Sequence, residues 1–126
     1  MKKSGFTLLE VLIVIIIIGV MAVFGFVSFN TALEKGRAAE AENLLKNVYG
    51  AQQRHLLYNG TYTADIDDLD ITVPAPRFFN SPVAGIGSDP PAKITRSTGA
   101  YTLQISTTAV VSCTNGTQTI CSQLGY

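Results

Sequence analysis

A run of 24 residues at positions 6–29 limits what this chain can fold into more than any other feature. Between Val11 and Val27 no residue has a polar side chain, and Glu10 is the one ionisable residue in the whole run. As a helix the run would be about 36 Å long, which is enough to cross a hydrocarbon core of roughly 30 Å. The sequence therefore predicts a membrane-spanning helix at residues 6–29.

A secretory signal peptide also starts with basic residues and an apolar stretch, but this run is too long, and no clean small-x-small cleavage pattern follows it. Lys2 and Lys3 are the only basic residues before the run. The positive-inside rule therefore predicts a cytoplasmic N-terminus and places the chain after Asn30 outside the membrane. Cys113 and Cys121 would then lie in a compartment where a disulfide can persist.

The helical pattern continues beyond the apolar run as an amphipathic helix. Between Leu33 and Leu56 apolar residues recur at steps of three and four, and charged residues occupy much of the remainder. Asn59 and Gly60 then supply a left-handed cap that ends the helix. We expect one helix over residues 6–58, whose second half, residues 30–58, offers one apolar stripe to a small domain.

Residues 59–126 show the signals of a loop followed by a small sheet. All five prolines fall in a predicted loop at residues 72–93, which Phe78 and Phe79 are expected to anchor. A hairpin is predicted from strands at 93–97 and 100–107, with Ile94 opposite Leu103. The predicted fold class is α+β, with the long helix packed on an antiparallel sheet of three or four strands.

A further strand pair is predicted at residues 109–113 and 117–121, and the cysteines test its register. A two-residue turn at Asn115 and Gly116 would place Cys113 opposite Gln118 rather than Cys121. Either the turn is wider than the Asn-Gly pair indicates, or one of the two segments is not a strand. The exterior compartment and the closeness of both cysteines to the C-terminus favour the disulfide.

Several functions have no support in the sequence. Nine basic and nine acidic residues cancel, so the chain lacks the basic excess of a nucleic-acid-binding domain. There is no Ser-His-Asp order, phosphate-binding glycine loop or zinc-ligand spacing, so neither an enzyme nor a cofactor is expected. The aspartates at 65–70 lack the glycine and the distal glutamate of a hand-type calcium loop, so no metal site is predicted.

The segment Gly-Phe-Thr-Leu-Leu-Glu at residues 5–10, followed at once by the apolar run, resembles the processing motif of the type IV pilin and type II secretion pseudopilin superfamily. The resemblance implies that a prepilin peptidase removes the leader, residues 1–5, by cutting after Gly5 and methylates the new amine of Phe6. It also implies an assembly role for Glu10, whose carboxylate would pair with the Phe6 amine of a neighbouring subunit in a helical filament.

The resemblance further implies a lollipop fold with residues 59–126 as the head, and a C-terminal loop closed by a Cys113–Cys121 disulfide. The implied function is that of a structural subunit of a type IV pilus. Its partners would be copies of itself, the peptidase and an inner-membrane assembly platform. Before assembly it would be a single-pass protein of the inner membrane, and after assembly it would be part of an extracellular pilus. One alternative is a type II secretion pseudopilin. Another is a monomeric membrane-anchored binding domain, which would need neither Glu10 nor the cut after Gly5.

Overall fold

A computed structural model describes residues 5–85 and 91–126, apart from the side chains of Val27 and Gln118. Residues 1–4 of the predicted leader and positions 86–90 of the predicted loop lie outside the described residues. The chain forms two compact units, the first ending at Leu33 and the second running from Glu34 to Tyr126. Its elements are α1 (Leu8–Asn59), β1 (Val83–Ala84), β2 (Ala92–Thr95), β3 (Thr102–Ile105), β4 (Val111–Thr114) and α2 (Gln118–Leu124).

The four strands form one antiparallel sheet in the order β1-β2-β3-β4. Ile94 lies opposite Leu103, which is the predicted pairing of the central hairpin. Its turn is closed by the N–H of Gly99, which donates to the carbonyl of Arg96 over 2.7 Å. Gly99 has a φ of 73°, a backbone conformation that glycine adopts without strain. The two-residue strand β1 was not predicted.

The core of the second unit lies between helix α1 and one face of the sheet. The apolar stripe of the helix supplies alanine at three positions, and Leu45 and Val48 fill the space between them. Opposite them, β-branched and leucine side chains of β2 and β3 are almost fully buried. The α+β prediction of one long helix packed on a small antiparallel sheet is confirmed. The buried residues of this contact are Ala38, Ala41, Leu45, Val48 and Ala51 from the helix and Ile94, Leu103 and Ile105 from the sheet.

The predicted strand at 117–121 is wrong, because this segment belongs to helix α2. Strand β4 pairs with β3 instead. Helix α2 starts directly after the tight turn that follows β4, and one helical turn brings Cys121 back to Cys113, to which it is disulfide-bonded with a Cα–Cα distance of 5.6 Å. The conflict between the turn and the disulfide is thus resolved by the second option, in which one of the two segments is not a strand.

Candidate processing and assembly site

The peptide bond between Gly5 and Phe6 lies in chain that is neither helical nor strand, and Phe6 and Thr7 separate it from the first residue of α1, Leu8. The Phe6 side chain is 81% exposed. No described atom beyond its neighbours in the chain lies within 4 Å of where a Cβ on Gly5 would stand. A peptidase must hold the chain at its cut site in an extended form, and here neither packing nor helical hydrogen bonds oppose that.

Thr7 occupies the position before the helix and caps it. Its Oγ1 accepts a hydrogen bond from the backbone N–H of Glu10 over 3.3 Å, and its carbonyl oxygen accepts from the N–H groups of Glu10 and Val11. A capping hydroxyl of this kind typically stabilises a helix by about 1 kcal/mol. Thr7 is a site residue that the sequence reasoning missed, although the spacing Thr-x-x-Glu is the signature of a capping box.

Glu10 lies in the first turn of α1, where the helix dipole favours a negative charge. Its side chain is exposed, and no cation among residues 5–85 and 91–126 lies at ion-pair distance from its carboxylate. The structure therefore places Gly5 and Phe6 in the last non-helical residues before α1 and Glu10 in its first turn. The described chain offers the Glu10 carboxylate no counter-charge.

The first unit has no core of its own. Every side chain that is described between residues 5 and 30 is exposed, including the isoleucines of the run at 15–18. Soluble monomers rarely expose contiguous apolar patches larger than a few hundred Å². Helix α1 is long and apolar enough to cross a membrane. Lipid or other protein surfaces are needed to cover this unit.

In the second unit the cysteine pair fastens the C-terminus onto the core. The disulfide joins β4 to α2, and Ile120 and Leu124 of α2 pack against the buried cluster. The Tyr126 hydroxyl donates a hydrogen bond to Glu42 of α1 over 2.9 Å. Burial, followed by the nearby Glu42 carboxylate, raises the pKa of Tyr126 to about 12. Cys113 and Cys121 are thus disulfide-bonded to each other, which is the pairing expected from the sequence.

A polar cluster around Arg96 and Glu34 also lies in this unit. No sequence pattern predicted it, because its members are far apart along the chain. Arg96 is only 8% exposed and donates from Nε to Glu34 Oε1 over 2.6 Å. Glu34 also accepts from the Tyr101 hydroxyl over 2.9 Å and from Arg37 over 2.9 Å. Burial alone would raise the pKa of Glu34, but the hydrogen bonds from Arg96, Arg37 and Tyr101 outweigh it and hold this pKa below its usual value.

Residues 1–26 match the family described as the prokaryotic N-terminal methylation motif. The match includes Gly5, Phe6 and Glu10 and covers 26 of the 126 residues. It supports a precursor of the type IV pilin or pseudopilin type, a class of structural proteins. No curated protein and no solved structure matches the chain significantly.

Proposed function

We propose that this chain is the precursor of a structural subunit of a type IV pilus and that it polymerises through its N-terminal helix. One observation carries the proposal. Within residues 5–85 and 91–126 the Glu10 carboxylate has no cation partner, and it lies on a helix whose described apolar side chains before residue 31 are all exposed. A carboxylate costs about 2.5 to 3.5 kcal/mol at the centre of a bilayer and less towards its edge, where the first turn of α1 would lie, and a plain anchor would gain nothing from keeping one there.

Processing creates the missing counter-charge. Hydrolysis of the Gly5–Phe6 bond adds one water and releases the leader, residues 1–5, which leaves a free amine on Phe6. Methylation of that amine keeps its positive charge. The exposed, non-helical Gly5–Phe6 bond and the motif match at residues 1–26 support this step. The proposed partner for the step is a prepilin peptidase.

Assembly then pairs the two charges between subunits. When a subunit leaves the inner membrane and enters the filament, its Glu10 meets the Phe6 amine of a neighbour. Each charge alone would be costly in an apolar interior, whereas the pair is tolerated and defines how far one helix lies along the next. The exposed apolar side chains of residues 6–29 exchange lipid for the same surfaces of other copies.

The test is the intact mass of this protein in filaments sheared from the cell surface, measured with and without reductant. The proposal expects a chain that begins at methylated Phe6 and gains two hydrogens on reduction, since Cys113 and Cys121 form a disulfide. The same mature mass confined to the membrane fraction would contradict assembly into a surface pilus and point instead to a type II secretion pseudopilin or a scarce minor subunit. A chain that retains residues 1–5 would identify a membrane-anchored domain, and both of these results contradict the proposal.

Replacing Glu10 with Ala tests the charge pair directly. The Glu10→Ala chain is expected to be cut after Gly5 and to remain in the membrane, but to yield at least tenfold fewer filaments, because the neighbour's amine loses its counter-charge. Filament yield relative to total mature protein is the measurement. Glu40→Ala, at an exposed helix position in the other unit, is the matched control and should assemble normally. Normal filaments from Glu10→Ala would rule out the pairing.

A further inference from the structure

Three arginines surround one aromatic ring in the second unit. The guanidinium carbons of Arg37, Arg77 and Arg96 lie 4.4, 5.5 and 5.5 Å from the centroid of the Phe78 ring. At such distances the π system attracts a guanidinium group. Arg96 is buried beneath this surface, while Arg77 is exposed and Arg37 is half-buried. We call Arg37, Arg77 and Phe78 the arginine patch.

The arginine patch carries more positive charge than its surroundings neutralise. Among the described residues Glu34 is the one carboxylate that binds there, and it is shared, because Arg96 donates to both of its oxygens and Arg37 donates to Oε2. Arg77 has no carboxylate at ion-pair distance anywhere in residues 5–85 and 91–126. Its guanidinium group lies over the Phe78 ring, and in the part of the chain that the structure describes its hydrogen-bond donors meet no carboxylate.

An opposite imbalance exists in the loop that follows helix α1. Asp65, Asp67 and Asp68, which we call the aspartate loop, are exposed and have no cation at ion-pair distance within the described chain. Their hydrogen bonds are internal: Asp65 accepts from the N–H of Asp67, and Asp68 accepts from the Thr63 hydroxyl. The Asp67 carboxylate itself accepts none of these bonds.

The arginine patch and the aspartate loop belong to different ends of the helical segment in this unit. The loop is fastened to Gln52, which exchanges two hydrogen bonds with the backbone of Thr63. Fifteen residues of helix between Arg37 and Gln52 correspond to about 22 Å. That separation is too large for an ion pair between the two surfaces in one copy, so each surface remains available to a partner.

We propose that the arginine patch of one copy binds the aspartate loop of the next copy. The contact joins two different surfaces, so it is heterologous and can repeat from copy to copy without closing, as a helical array requires. Charge complementarity selects the partner, and Phe78 pre-orients Arg77, which lowers the entropy lost when its donors meet carboxylates. The inference rests on the proposed filament. It adds a specific contact between the second units, Glu34–Tyr126, of neighbouring copies.

Charge reversal tests this contact in the full-length chain. Arg77→Glu and Asp67→Lys each place like charges together and are expected to lower the yield of sheared filaments, by on the order of tenfold for Arg77→Glu. A chain that carries both substitutions restores an opposite pair and is expected to recover to within about twofold of the unaltered protein. Lys93→Glu makes the same change in charge at an exposed position on β2 and should assemble normally.

The outcomes separate this contact from the filament itself. If the unaltered protein forms filaments and Arg77→Glu assembles equally well, the contact is wrong and the proposed function stands. If Arg77→Glu is impaired but Asp67→Lys does not rescue it, the patch binds another anion, such as a lipid headgroup, and the contact is again wrong. If the unaltered protein forms no filaments at all, the proposed function itself fails.

Cross-linking provides a second measurement that does not depend on filament yield. Arg77→Cys and Asp67→Cys in one chain are expected to give a ladder of cross-linked multimers after treatment of assembled filaments with a short thiol-specific cross-linker. Either substitution alone should give no multimer beyond the dimer, because each copy then carries one free thiol beside its disulfide. The absence of a ladder from filaments that carry both thiols would overturn the contact.

Discussion

The two parts of helix α1 have the same backbone structure but opposite surroundings. In residues 8–30 every described side chain is exposed, although almost all are apolar. In residues 34–59 one stripe is buried, and half of its six residues are alanines, Ala38, Ala41 and Ala51. The comparison shows that burial in this chain does not follow hydrophobicity. It follows whether the chain itself supplies a surface to pack against, which the sheet does for the second part alone.

Of the changes considered, removal of the first unit is expected to have the largest effect. A chain that begins at Glu34 keeps the described core of the second unit, including Leu103 and the disulfide. We expect it to be a soluble monomer without detergent, whereas the full chain should require detergent or lipid because of its exposed apolar helix. Light scattering and circular dichroism on both chains measure this. An unfolded or aggregated short chain would mean that residues before Glu34 contribute to the fold of the second unit.

The same type of substitution, a large aliphatic residue to alanine, can be made once in the core of the second unit and once in the exposed part of helix α1. Leu103 is 0% exposed and Ile16 is 56% exposed, yet both are large aliphatic residues. Leu103→Ala should lower the free energy of unfolding of the second unit by about 2 to 5 kcal/mol, since it leaves a cavity. Ile16→Ala should leave that free energy unchanged. Thermal unfolding of the two variants in detergent compares them, and equal losses would contradict the division into two units.

Acidification tests the polar cluster around Glu34, the first residue of the second unit. The pKa of Glu34 is held below its usual value, so its contribution to stability is complete above the ordinary glutamate pKa and is lost as the pH falls through the lowered one. Glu34→Gln should therefore make the unfolding temperature less dependent on pH below about pH 4.5. The residual dependence should come from other paired carboxylates, Glu42 and Asp70. An unchanged pH profile would exclude a role for Glu34.

The smallest expected effect concerns the C-terminal residue. Tyr126→Phe removes an exposed hydrogen bond to Glu42, so it should lower the free energy of unfolding by about 0.5 kcal/mol. Because the pKa of Tyr126 is raised to about 12, the contribution should be present below about pH 10 and lost as the pH rises through about 12. Chemical denaturation at neutral pH measures the difference. A decrease in the free energy of unfolding above about 2 kcal/mol would contradict this small contribution of the hydrogen bond.

Local patterns along the chain were sufficient to predict several features. The helical spacing of apolar residues predicts helix α1, and Gly60 ends this helix with a φ of 77°. The Thr98–Gly99 turn predicts that Ile94 lies opposite Leu103, as it does. The motif at residues 5–10 predicts a processing site, and residues 1–26 match the prokaryotic N-terminal methylation motif. In each case neighbouring residues decide the outcome, since helical period, turn chemistry and a linear cleavage motif all act over a few positions.

The segment 117–121 shows where local patterns were insufficient. Its threonines and isoleucine favour a strand, yet it forms helix α2, which packs Ile120 and Leu124 on the core. Gly125, with a φ of 100°, ends this helix and was the unused helical signal in the sequence. Packing and the disulfide outweigh a β-propensity whose whole scale spans only about 1 kcal/mol.

The sequence by itself determined the membrane-length helix, the processing motif, the α+β class and the central hairpin, because each depends on residues that are close in the chain. The tertiary structure alone decided that Arg96 meets Glu34 across 62 positions and that Arg77 is left without a carboxylate in the described chain. Those outcomes depend on how the sheet lies against the second part of α1. No local pattern encodes that arrangement, because the free energy of packing is distributed over the whole core.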